Sequence, residues 1–173
     1  MLIKIIHKKI ELRNYKNLFK HTIFTLSLFL GYILQTYFNI IFITAIIVSI
    51  SMLQNISTSC VYSLFGGILC DISMNTPIGF NCCIFIVTCS IISILTLHYF
   101  KTNLLSFSLF TFATFIITYT FIILCKYRYL NFYELNILIF KSILPSIIIS
   151  VVISLFIFLF FSYINSKLIN LEL

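Results

Sequence analysis

The chain has 173 residues, 61% of them hydrophobic and 9% charged, with a net charge of +7 and a mean hydropathy of +1.16. Soluble domains give about 25% of their residues to charge, so the composition excludes a soluble globular protein. At roughly 20 residues per crossing the length admits six membrane helices and no separate soluble domain.

Six of the eleven basic residues, Lys4, Lys8, Lys9, Arg13, Lys16 and Lys20, precede the first apolar run. By the positive-inside rule, residues 1–21 read as a basic cytoplasmic arm. Lys9, Arg13, Lys16 and Lys20 share a helical stripe with Ile3, Ile6 and Ile10 to one side, the pattern of a short helix on anionic lipid headgroups. Nucleic acid is not the expected partner.

The run Thr22–Leu53 is too long for a cleaved signal peptide and for one span. Gln35 and Asn39 divide it into helices over Thr22–Phe38 and Ile40–Leu53. The second is short for about 30 Å of hydrocarbon, so it is expected to be shielded by neighbours or to continue irregularly through Gln54, Asn55 and Ser57. If the run holds only one crossing, the bundle has five spans instead of six. A third helix is expected over Thr58–Ser73, a fourth over Phe80–Tyr99 and a fifth over Leu104–Cys125, with Lys101 and Asn103 marking the turn between the last two. Lys126–Asn136 mixes charge with aromatics, as a headgroup-level connection does. The last helix is expected over Ile137–Ile164, where Pro145 removes a backbone donor one turn after Lys141 and predicts a kink.

The expected fold is an all-α integral membrane protein, a compact bundle of six (or five) transmembrane helices. Its parts are the arm 1–21, one helical domain 22–164 and a cytoplasmic tail 165–173. With both ends inside, eight basic residues lie on the cytoplasmic side against two outside, the asymmetry an even number of spans predicts.

Ser59–Gly79 organises the chain. It holds three of the four glycines, one of the two prolines and the only aspartate. Ser59, Ser63, Gly67 and Asp71 recur every fourth residue and so share a helix face, where small side chains, Gly66 beside them, let another helix approach closely. Asp71 is costly at membrane depth and is expected to face protein or water. Three roles are open to it: bracing the following turn, pairing with a cation such as Lys141 or a partner's basic residue, or solvation at the outer surface. Asn75, Thr76, Pro77 and Gly79 are turn residues, since Asn and Gly tolerate positive φ and Pro disfavours helix at the residue before it.

No catalytic constellation accompanies this stretch. The six cysteines form no C-x-x-C pair, the three histidines lack metal-site spacing, the four acidic residues are scattered, and no P-loop, G-x-S-x-G or H-E-x-x-H motif occurs. Neither an enzyme nor a metal or other cofactor is expected.

GGILCDISMNTPIGFN, between a small-residue helix and an apolar one, resembles the signature of the rod shape-determining MreD family, with Gly67, Asp71, Pro77 and Gly79 matching position by position. Ser73-Met74-Asn75 departs from the family's more usual Ser-Gly type turn, and Asn75 can supply the same left-handed conformation. Chain length, the basic start and Pro145 in the last helix also fit. The resemblance implies a non-catalytic subunit of the bacterial cell-elongation complex in the inner membrane. Its implied partners are the bitopic protein MreC, with MreB, the glycosyltransferase RodA and a class B penicillin-binding protein. It also implies a fold similar to the substrate-binding subunits of energy-coupling-factor transporters, which supplies the alternative, a vitamin-binding transporter subunit. Such a subunit should carry an Ala-x-x-x-Ala docking motif in its first helix, and Thr22–Phe38 has no alanine.

Overall fold

The computed structural model describes residues 2–38, 42–126, 134, 137 and 139–170. Its elements are all helical: α1 (Leu2–Phe38), α2 (Phe42–Leu53), α3 (Ile56–Met74), α4 (Phe80–His98), α5 (Leu104–Lys126) and, after a π-helical turn at Ile139–Ile143, α6 (Leu144–Asn170). Five segments, in α1, α3, α4, α5 and Ile139–Ser166, are long and apolar enough to cross a bilayer. That is the architecture of a multi-pass membrane protein.

The helix α2 is the exception. Its twelve residues rise only about 18 Å at 1.5 Å each, short of the hydrocarbon thickness. Every residue from Phe42 to Met52 is buried, and α2 touches α1, α3, α4, α5 and α6. The other five helices therefore form a sleeve around it. The expected shielding by neighbours is what the structure has, and the break at Gln54 and Asn55 is short, with α3 already under way at Ile56.

Successive helices alternate in direction. Gln35 meets the start of α2 at Ile43, Ser51 meets Ser59 across the α2–α3 hairpin, and Cys60 meets Ser90 across α3 and α4. Phe107 stacks on Phe158 while Tyr119 bonds Ser146, so α5 and α6 are also antiparallel. The first and last spans return to one end of the bundle, where Lys20 Nζ donates to Asn165 Oδ1 at 2.8 Å and Phe24 meets Phe161 edge-on.

Three boundaries differ from those read in the sequence. The arm is not a separate helix: α1 runs unbroken from Leu2, because residues 2–21 contain neither glycine nor proline to interrupt it. The tail beginning at 165 is helical through Asn170. The third helix starts two residues earlier than expected, at Ile56. Asn39, residues 127–133, 135 and 136, which carry most of the expected headgroup-level connection, and 171–173 lie outside the described residues. Where a kink is expected at Pro145, the structure has a π-helical turn at Ile139–Ile143 just before it. A π turn re-routes carbonyls that would otherwise seek the amide hydrogen proline lacks.

Candidate functional site: a carboxylate-braced turn

The helix α3 ends because Asn75 takes the left-handed conformation (φ 52°, ψ 41°), which Asn tolerates better than most residues. Its N–H and that of Thr76 both donate to the Asp71 carbonyl, the second at the 6→1 spacing of a Schellman ending. Pro77 then opens a tight turn closed by Phe80 N–H on its carbonyl at 3.1 Å. Gly79 (φ 98°, ψ −13°) has the dihedrals of the third residue of a type II turn, which glycine alone adopts freely.

Gly79 is also the residue before α4, and it has no side chain with which to cap that helix. Asp71 supplies the cap from the helix before. Its Oδ2 accepts from Gly79 N–H at 2.8 Å, and its Oδ1 accepts from Asn81 N–H at 3.0 Å, Asn81 Nδ2 at 2.8 Å and Thr76 Oγ1 at 2.7 Å. The carboxylate is 0% exposed. Four donors and the positive end of the α4 dipole are what make a buried anion tolerable there. Asn81 Nδ2 also reaches Thr76 Oγ1 at 3.1 Å, so the turn is closed on both sides of Asp71.

Below the turn, Gly67 and Gly66 serve different neighbours. A Cβ on Gly67 would lie 2.5 Å from Cys82 Cα and 2.6 Å from Cys82 N, so the α4 backbone itself rests on Gly67. A Cβ on Gly66 would meet the Ile47 side chain of α2 at 2.4 Å. Ser63 is buried on the same helix, beside the Cys89 thiol, and its hydroxyl closes no short hydrogen bond. Ser59 Oγ donates to Ser51 Oγ at 2.7 Å, and Ser93 Oγ donates to the Ser51 carbonyl at 2.8 Å, tying α2, α3 and α4 together.

Of the residues singled out in the sequence, Ser63, Gly66, Gly67, Asp71, Asn75, Pro77 and Gly79 thus fall on α3 and its turn. Lys141 and Pro145 do not join them. Lys141 is exposed in the π-helical turn, and among the described residues the Asp71 carboxylate takes its hydrogen bonds from Thr76, Gly79, Asn81 and Cys82. Pairing between Asp71 and Lys141 is therefore not what holds the carboxylate, and solvation at an outer surface is excluded by its burial.

Two contributors were missed. Asn81 is fully buried and central to the brace; its signal was an amide side chain directly after a turn at the head of an apolar run. Gln35, read only as a polar interruption near the end of the first helix, is buried in α1. Its Nε2 donates to Ser73 Oγ at 2.6 Å, and its Oε1 accepts from Ile43 N–H at 3.4 Å, so it links α1 to the end of α3 and the start of α2. A polar residue in an apolar span demands partners, which was the available clue.

The arrangement joins α3 to α4 and α1 to both α2 and α3. Among the described residues no group of three His, Cys, Asp or Glu is placed to hold a metal ion. The fold and the braced turn define a multi-pass helical membrane protein with a buried α2 hub. No protein-family model matches the chain, and no curated protein or solved structure matches it either.

Proposed function

We propose that this chain is a non-catalytic, MreD-like subunit of a bacterial cell-elongation complex. It sits in the cytoplasmic membrane, binds an MreC-type bitopic partner and helps to organise peptidoglycan synthesis by the MreB, RodA and class B penicillin-binding protein machinery. The observation that carries the reading is that each position of the resemblance has its own physical task. Gly67 admits the α4 backbone, Asp71 caps α4, Pro77 opens the turn, and Gly79 takes the positive φ that lets α4 begin. A stretch under those constraints holds two spans at fixed angle and register, which suits a subunit whose work is to present a surface.

The test is depletion in a rod-shaped host with complementation by this chain, combined with detergent co-purification of the bitopic partner. Rounding or swelling on depletion, rescue by the wild-type chain and recovery of the partner are expected. Nanomolar retention of a vitamin by the purified protein would replace the reading with that of a transporter subunit.

A further inference from the structure

We propose that the cleft between α1 and α6 binds one acyl chain of an anionic phospholipid, with the lipid phosphate held at Lys20. The cleft runs from Ile23 to Leu34 along α1 and from Ile153 to Ile164 along α6, with Ile46 of the buried α2 in its floor and Gly31 leaving that floor open to view. Its volume is about 550 Å³, within the roughly 300–1,000 Å³ of small-molecule sites. No polar side chain other than Ser27 lines it, so nothing in it would recognise a vitamin or other polar solute.

Its dimensions choose the occupant. Ile23 to Leu34 spans about 17 Å of helix, close to the roughly 15 Å of one bilayer leaflet. A single hydrocarbon chain matches that length and that apolar lining.

Charge chooses the headgroup. At the Ile23–Ile164 end, Lys20 is half-buried and donates one of its three N–H bonds to Asn165. Among the described residues that partner is a neutral amide, which leaves the ammonium with donors for a phosphate. Lys20 and Asn165 both sit within a turn of the ends of their membrane-crossing segments, Asn17–Tyr37 and Ile139–Ser166, the depth at which a headgroup lies. The site does not depend on the cellular role proposed above.

The experiment is native mass spectrometry of the full chain in detergent with equal amounts of phosphatidylglycerol and phosphatidylcholine carrying identical acyl chains. Preferential retention of phosphatidylglycerol is expected. Lys20→Gln should reduce that preference about fivefold, the ratio one headgroup-level cation contributes. Ser27→Trp fills the cleft and should lower retention of both lipids together. Lys20→Gln lies at the rim and decides the headgroup half of the proposal even if Ser27→Trp does not fold. Equal retention of the two lipids, an unchanged preference in Lys20→Gln, or unchanged retention in a monodisperse Ser27→Trp protein would overturn it. So would a photocrosslinker at Leu30 that captures a protein helix in cells instead of lipid.

Discussion

At Asp71 one side chain carries the geometry of two helix ends, and its two oxygens are not equivalent. Oδ1 takes three donors and Oδ2 takes the Gly79 N–H. In Asp71→Asn the carbonyl can keep the Oδ1 role, but the amide then points N–H at N–H toward Gly79, at a cost of about 1–3 kcal/mol for one buried donor left unmade. Asp71→Ala leaves the Gly79 and Asn81 backbone N–H groups without their acceptor. Thermal unfolding in detergent and membrane abundance should rank wild type above Asn and Asn above Ala, and equal behaviour of Asn and Ala would show that the brace carries no stability. The two glycines of α3 separate in the same way. Gly67→Ala presses on the Cys82 backbone, which side-chain rearrangement cannot relieve, and should cost about 1–3 kcal/mol whether or not Cys82 is also changed to Ala. Gly66→Ala presses on the Ile47 side chain, hardest on its tip, and should be rescued in part by Ile47→Val, which removes that tip. Gly79→Ala meets nothing within 4 Å, so its cost is the left-handed backbone alone, about 1–2 kcal/mol, read as a drop in unfolding temperature.

At the level of the helices, the legible parts were those where residue spacing or turn chemistry carries the signal. The i, i+4 run Ser59, Ser63, Gly67, Asp71 gave the close α3–α4 approach, and Asn75 through Gly79 gave the turn, because left-handed backbone and proline leave few alternatives. The hub was only half legible. Its short length and need for shielding followed from Asn39 and Gln54, but a largely apolar helix buried in protein has much the same composition as one facing lipid, since lipid tails are as apolar as leucine. In α1 the change from basic to apolar residues was taken as a structural boundary, although charge pattern does not stop a helix that has no breaker. The hub makes a contrast that can be measured. Ile50 in α2 is fully buried and Leu105 in α5 is 71% exposed. In lipid the transfer part of a truncation largely cancels while the cavity and lost dispersion remain, so Ile50→Ala should cost about 2 kcal/mol or more and Leu105→Ala close to nothing. Similar unfolding temperatures for the two variants would mean that α2 is not the packing centre.

For the whole molecule, helix direction decides the topology, and α2 decides whether the short segment counts as a stroke. Were α2 a mere excursion from one face, α1 and α3 would run in opposite directions, as two spans joined by a surface loop do. Instead they run parallel: His21 pairs with Tyr62 near their starts, and Gln35 pairs with Ser73 near their ends. The chain must therefore return the length of the bundle between them, and α2 with the Gln54–Asn55 break is the segment that does so. The short helix can serve as a stroke because Phe42 to Met52 are buried against the other helices, so protein takes the place of the surrounding hydrocarbon along it. The parallel α1 and α3 put the Lys20–Asn165 end and the Asn75–Gly79 turn at opposite ends of the bundle. With the native cysteines replaced, single cysteines at Asn17 and at Ser166 should react with a membrane-impermeant maleimide from the same side, and one at Thr58, beside the α2–α3 break, should share that side. A cysteine at Ile78, exposed in the braced turn, should react from the opposite side. Labelling of positions 17 and 166 from opposite sides would remove the six-stroke arrangement, and with it the even topology expected from eight basic residues on one side against two on the other.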